Sequence, residues 1–165
     1  MKKIILFFIF SFLYLLCFSQ NSARIAMVKG TRVVFNFESF KDIKNGKTLG
    51  TPPSGFTEVQ IYYKHESING WVLKVRSNEA ALNPDYGAAS LPLSIIEMHT
   101  YLDGVFYNTT TLSNTDQIIS NAMGDYTGGG NHTITIVYDC AKAGELMGME
   151  TDVFTTDLVI TLQSQ

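Results

Sequence analysis

The chain has 165 residues, with twelve Lys and Arg against fifteen Asp and Glu, and only two cysteines. A net charge of −3 without a basic cluster excludes the electrostatic footprint of a nucleic-acid binder or of a protein held on anionic lipid. Length and an apolar fraction of 45% suit one domain with a real core.

Lys2 and Lys3 precede an apolar run from Ile4 to Phe18, which turns polar at Ser19-Gln20-Asn21-Ser22. This is the pattern of a secretory signal peptide over 1–19, cleaved near Ser19 or Gln20. As a transmembrane anchor the run is short of the roughly 20 apolar residues that a span needs. Cys17 would be the acylated residue of a lipoprotein, but Leu16 stands before it where a small residue is wanted. Loss of Lys2 and Lys3 leaves ten basic residues against fifteen acidic in a domain over 20–165. Cys140 is then the only cysteine, so that domain has no internal disulfide, and its place at a strand end predicts a buried, inert thiol.

From Arg24 onward the pattern is strands and turns. Residues 25–28 form a short apolar strand, and 32–40 alternate with Val33, Phe35 and Phe37 on one side, which predicts a second. Residues 41–56, rich in Gly, Pro and Asn, read as a connection outside the core. Over 57–65, Val59, Ile61 and Tyr63 face one way and Glu58, Gln60 and Tyr62 the other. The short step through 66–70 predicts a hairpin to the strand of Trp71, Leu73 and Val75, with the chain's only tryptophan as an inward anchor.

Residues 78–90 read as a surface loop. Pro92 marks the start or edge of a strand over 95–101, and Asp103-Gly104 turns it into a return strand from Val105. Residues 116–122 read as a single helical turn and 124–131 as a polar loop. Strand character returns at 132–140 with Ile134, Ile136 and Tyr138 aligned. The chain closes on Phe154, Leu158, Ile160 and Leu162 sharing a face. No stretch after the leader sustains a helical period. The expected fold is therefore all-β: a single antiparallel β-sandwich, immunoglobulin-like, of seven to nine strands, with Trp71, Leu73, Val75, Ile134, Ile136, Leu158 and Ile160 in its core. A closed barrel would show the same alternation.

Candidate chemistry is sparse. His65, His99 and His132 lack the paired short spacing of a zinc site, and no nucleophile elbow or phosphate loop is present, so no catalytic residue, metal or cofactor is expected. Glu58, Glu66, Glu97 and Asp103 are the carboxylates that one sheet would bring together for glycoside chemistry. Tyr62, Tyr86 and Tyr126, with Asp125 and Asn131 beside them, are the expected ligand surface, since exposed rings flanked by amide and carboxylate groups suit a glycan.

Asn69-Gly70-Trp71-Val72-Leu73-Lys74-Val75, Leu91-Pro92-Leu93-Ser94 and the closing stretch from Met147-Gly148 through Asp152-Val153-Phe154 to Leu162 together resemble small secreted β-sandwich domains of bacterial surfaces, of the WxL-like and the fimbrial, spore-coat-U-like kinds. The leader ending Phe18-Ser19-Gln20 is similar to those of Bacteroidota. Asp152-Val153-Phe154 departs from the Gly-x-Tyr-Thr turn of those families, and the second Trp-x-Leu motif of the wall-binding members is missing, so no site residue carries over. The resemblance implies an exported, non-enzymatic cell-surface or envelope protein with a structural or adhesive role, a fibre subunit among the forms it could take. Its partners would be other surface proteins or further copies of itself, met through sheet edges, or glycans. The final compartment is periplasm, cell surface or medium.

Overall fold

The computed structural model describes residues 22–64, 70–123, 130–141, 145–150 and 152–164. Eight strands of seven residues or more carry two antiparallel sheets. In the first sheet β1 (Ser22–Lys29) pairs with β4 (Thr57–Lys64), β4 with β11 (Gly130–Cys140), β11 with β8 (Ile96–Leu102) and β8 with β9 (Val105–Thr111). In the second, β5 (Gly70–Ser77) lies between β10 (Gln117–Met123) and β13 (Leu158–Ser164). Short strands lengthen the first sheet and form a small third one. The ribbon of β2 (Lys47–Thr51) and β3 (Ser54–Gly55) prolongs the line of β4 along β11. Next, β6 (Ala81–Pro84) pairs with β7 (Leu91–Pro92) and with β12 (Phe154–Thr155) beyond the end of β5.

The sheets face each other across one core, making an all-β sandwich. Val59, Ile61, Met98, Ile134, Ile136 and Tyr138 of the first sheet meet Trp71, Leu73, Val75 and Ile119 of the second, all essentially without solvent contact. Leu158 and Ile160, on the outer strand β13, are half-buried and pack against the same cluster. Within the core Thr100 donates its hydroxyl to Ile119 O at 2.7 Å, Tyr138 donates its hydroxyl to Thr57 Oγ1 at 3.1 Å, and Thr57 donates to Gly30 O at 3.1 Å. Gly30 turns there with φ of +73°, and a Cβ on it would stand 2.4 Å from Phe56 O.

Five local expectations are corrected, the first of them the surface loop 78–90, which holds strand β6 with Leu82 buried in the core. Strands β4 and β5 do not form a hairpin: they lie in different sheets, because β4 finds β1 and β11 as neighbours and β5 finds β10 and β13. A short connection serves an arch between sheets as well as a hairpin within one. Residues 32–38 alternate as expected, with Val33, Phe35 and Phe37 half-buried against the core, yet they form no strand. The position beside β11 beyond Thr57 is taken by β2, and the segment has half-buried side chains and no ladder. The connection 41–56, expected to stay outside the core, holds helix α1 (Phe40–Asn45), capped by Ser39, and the β2–β3 ribbon, and Leu49 of the ribbon and Phe56 just after it pack on the core. Finally, 116–122 is not a helical turn but strand β10, where a bulge between Ile118 and Ser120 buries both Ile119 and Ser120.

Candidate functional site

One loop is built to hold an aromatic ring in water. Past β6 the chain turns through Asp85, Tyr86 and Gly87, and the Asp152 carboxylate, just before β12, takes the amides of that turn. Asp152 Oδ1 accepts from the N–H of Asp85 at 3.1 Å and of Tyr86 at 3.0 Å, and from its neighbour Val153 at 2.7 Å; Oδ2 accepts from Ala88 N–H at 2.9 Å. Asp85 N–H also reaches Val153 O at 2.9 Å. Burial pushes the Asp152 carboxyl up, but the converging amides outweigh it and hold it below its ordinary value. On this fixed turn the Tyr86 side chain is 83% exposed.

A second carboxylate stiffens the same end. Glu79 accepts from the Thr156 hydroxyl at 2.6 Å and from Asp157 N–H at 2.9 Å, tying the β5–β6 joint to the β12–β13 joint. The Thr156 hydrogen bond is the main cause of its lowered pKa.

The opposite end carries a ring cluster. His132, oriented by Asp103 through an Oδ2 to Nδ1 contact of 2.6 Å, stacks on Tyr63 at 5.7 Å between centroids and lies 5.6 Å from the Trp71 ring. Asp103 Oδ1 also accepts Thr133 N–H at 2.8 Å, which pins the β8–β9 turn to β11.

Across the outer face of the first sheet, Asp139 Oδ2, His99 and Thr109 Oγ1 stand in line, at 3.0 Å and 2.8 Å. A carboxylate, an imidazole and a hydroxyl in a row have the order of an activated nucleophile. The row runs across β9, β8 and β11 as a cross-strand polar ladder, with the His99 and Asp139 side chains 26% and 37% exposed.

No protein-family model matches the chain, and no curated protein matches it. Among solved structures it is similar to the CupB6 tip adhesin from Pseudomonas aeruginosa, with a TM-score of 0.42 and 11% identity over 87% of this chain and 44% of that one. The chain spans less than half the length of that protein. A likeness this loose assigns neither an activity nor a partner.

The expected ligand surface is divided by the fold. Tyr62 and Asn131 are opposite each other on β4 and β11, where the Arg24 guanidinium lies 5.0 Å over the Tyr62 ring and the Tyr62 hydroxyl donates to Gln60. Tyr86 lies beyond the far end of the β5–β6 line, and Asp125 and Tyr126 fall outside the described residues, as do His65 and Glu66. The other expected carboxylates do not converge: Glu58 pairs with Lys29 at 3.0 Å, Glu97 stands opposite Asp139, and Asp103 holds His132. Cys140 is buried, and burial, with Glu145 adding to it, pushes its thiol up to about 12. Asp152 was not among the expected residues. The signal for it was present only in outline: an acidic residue before the closing strands and a Pro-Asp-Tyr-Gly turn, with nothing in the sequence to join them.

Proposed function

We propose that the chain is a non-enzymatic, exported envelope or surface module with an adhesive role, and that it meets its partner through the turn that presents Tyr86. The observation that carries this reading is the combination of an 83% exposed ring with a turn whose Asp85, Tyr86 and Ala88 amides are held by the Asp152 carboxylate. A ring on a fixed turn loses little conformational freedom on binding, so more of its contact energy appears as affinity. Exposed Val153, beside Asp152, widens the apolar part of this surface.

A second reading makes the same turn a sugar platform. Asn83 and Asp85, both exposed beside Tyr86, supply the amide and carboxylate that hydroxyl groups seek around a stacked ring.

The two readings separate in one set of measurements on wild type and Tyr86→Ala: adhesion of protein-coated beads to cells of the producing strain, binding to a broad glycan array, and thermal melting. Tyr86→Ala is expected to weaken adhesion by about tenfold, the equivalent of roughly 1.4 kcal/mol, with an unchanged melting point. Glycan binding lost in the same variant would support the platform. Adhesion equal to wild type would remove Tyr86 from the site, and protein confined to the cytoplasm on fractionation would remove the exported role.

A further inference from the structure

Among the described residues, strand β9 has a strand partner on one side only, β8. Leu112 N–H donates to Ile96 O at 2.9 Å, and Thr110 and Asn108 stand opposite Met98 and Thr100 on β8. The alternation of an antiparallel ladder then turns the N–H and C=O groups of Thr109 and Thr111 away from β8. The edge of the second sheet approaches β9 near Tyr107 and Asn108: the Tyr107 hydroxyl donates to Asn121 Oδ1 at 2.6 Å, and Asn108 Nδ2 donates to Ile118 O at 3.3 Å. Past this tie lies an open groove of about 810 Å³, walled by the edge from Thr109 to Ser113 on one side and by Asp116 to Ile118 on the other.

We propose that this edge is an interface between two copies of the chain, with their β9 strands antiparallel about Thr110. Thr109 of each copy then exchanges both backbone hydrogen bonds with Thr111 of the other, and the sheet runs continuously through the dimer. This pairing is independent of what the Tyr86 turn binds.

The choice of a second copy rests on charge. A two-fold axis at Thr110 sets that residue against its own twin and brings Thr109 and Thr111 near theirs across the diagonal, so a charge at any of the three would oppose itself. The segment Val105-Phe106-Tyr107-Asn108-Thr109-Thr110-Thr111 has no charge and no proline, and it is almost wholly β-branched or aromatic. It therefore lacks the usual protection of an edge strand. The carboxylate on the groove rim, Asp116, is already met within its own chain by Arg76 at 3.7 Å and Lys74 at 4.0 Å. The opposite edge of the same sheet, β1, does carry the usual protection in Arg24 and Lys29. Val105 and Phe106, 70% and 56% exposed, add apolar surface beside the contact.

The test is the mass of the purified protein in solution by light scattering over a wide concentration range, for wild type, Thr111→Lys and Thr111→Pro. Proline at 111 removes an outward N–H and leaves the bonds to β8 intact, a placement that edge strands tolerate. Wild type is expected to dimerise, and each variant to weaken self-association by about tenfold to a hundredfold at an unchanged melting point. Thr110→Cys gives a second readout. In the proposed register the introduced thiol faces its twin at a non-hydrogen-bonded position, where Cα atoms are about 4.5 Å apart and a disulfide can close. Buried Cys140 stays silent in that assay. Oxidation should give a covalent dimer from Thr110→Cys and none from wild type. A wild type that stays monomeric, a dimer that persists in both edge variants, or failure of Thr110→Cys to cross-link would each overturn the proposal.

Discussion

At the scale of single residues, Asp152 makes the clearest quantitative claim. Its carboxyl has a lower pKa folded than unfolded, so it stabilises the fold above the unfolded value of about 3.9, and that stabilisation fades as pH falls through the folded value. Glu79 acts with the same sign at the same end. Asp152→Ala should therefore melt below wild type at neutral pH, and the gap should narrow as both are titrated from pH 5 to below the unfolded value of about 3.9. A gap that stays constant over that range would mean that the carboxylate charge is not what holds the Tyr86 turn. Residue-scale burial was legible wherever alternation was strong: Trp71, Leu73 and Val75 sit where their spacing puts them. Val72 is the instructive exception. It lies on the face of β5 that carries Lys74 and Arg76, outside the core cluster, and is still only 3% exposed, with Asn121 and Gln163 opposite it on the flanking strands. Alternation identifies an inward face but not which outward positions will be covered as well.

At the scale of elements, the strands themselves were readable and their neighbours were not. Local spacing located β4, β5, β8, β11 and β13, since a half-buried strand writes its period into its own residues. The sheet to which each belongs depends on residues far along the chain. Residues 32–38 show this from the other direction, with a strand's periodicity and no ladder. The short β3 strand holds its place through Gly55, whose missing side chain lets it lie against β11: a Cβ there would be 2.5 Å from both Ile136 N and Ile136 O. Its sequence neighbour Phe56 donates to Ile136 O at 2.8 Å. Backbone cannot yield as a side chain does, so Gly55→Ala is expected to cost about 1–3 kcal/mol in urea unfolding. A cost near zero would show that β3 can lift from β11 without harm to the sandwich.

At the scale of the whole molecule, the sandwich places its distinctive surfaces apart. The Tyr86 turn is at one end, the Asp103–His132–Tyr63 cluster at the other, and the uncharged β9 edge along a side. Tyr62 is legible in the sequence as a strand residue and Tyr86 as a turn residue, but which end of the sandwich each occupies depends on strand pairings between residues far apart in the chain. A β9 pairing about a two-fold axis also closes on itself, and so yields a dimer rather than a growing fibre. Any open-ended assembly would need a different edge.

The position of β5 between β10 and β13 has one more consequence, for the order of events in folding. Both neighbours of β5 follow it in the chain, and β13 is the last strand described. A chain delivered amino-terminus first holds Trp71 in water until the partners that cover it have emerged, and the pairing of Leu73 with Leu162 spans most of the domain. Contacts so distant in sequence form slowly, on the millisecond-to-second scale typical of all-β domains. The indole would thus act as a clock for completion. In stopped-flow refolding its emission should change in the last phase, and removal of 158–165 should leave it at the unfolded wavelength.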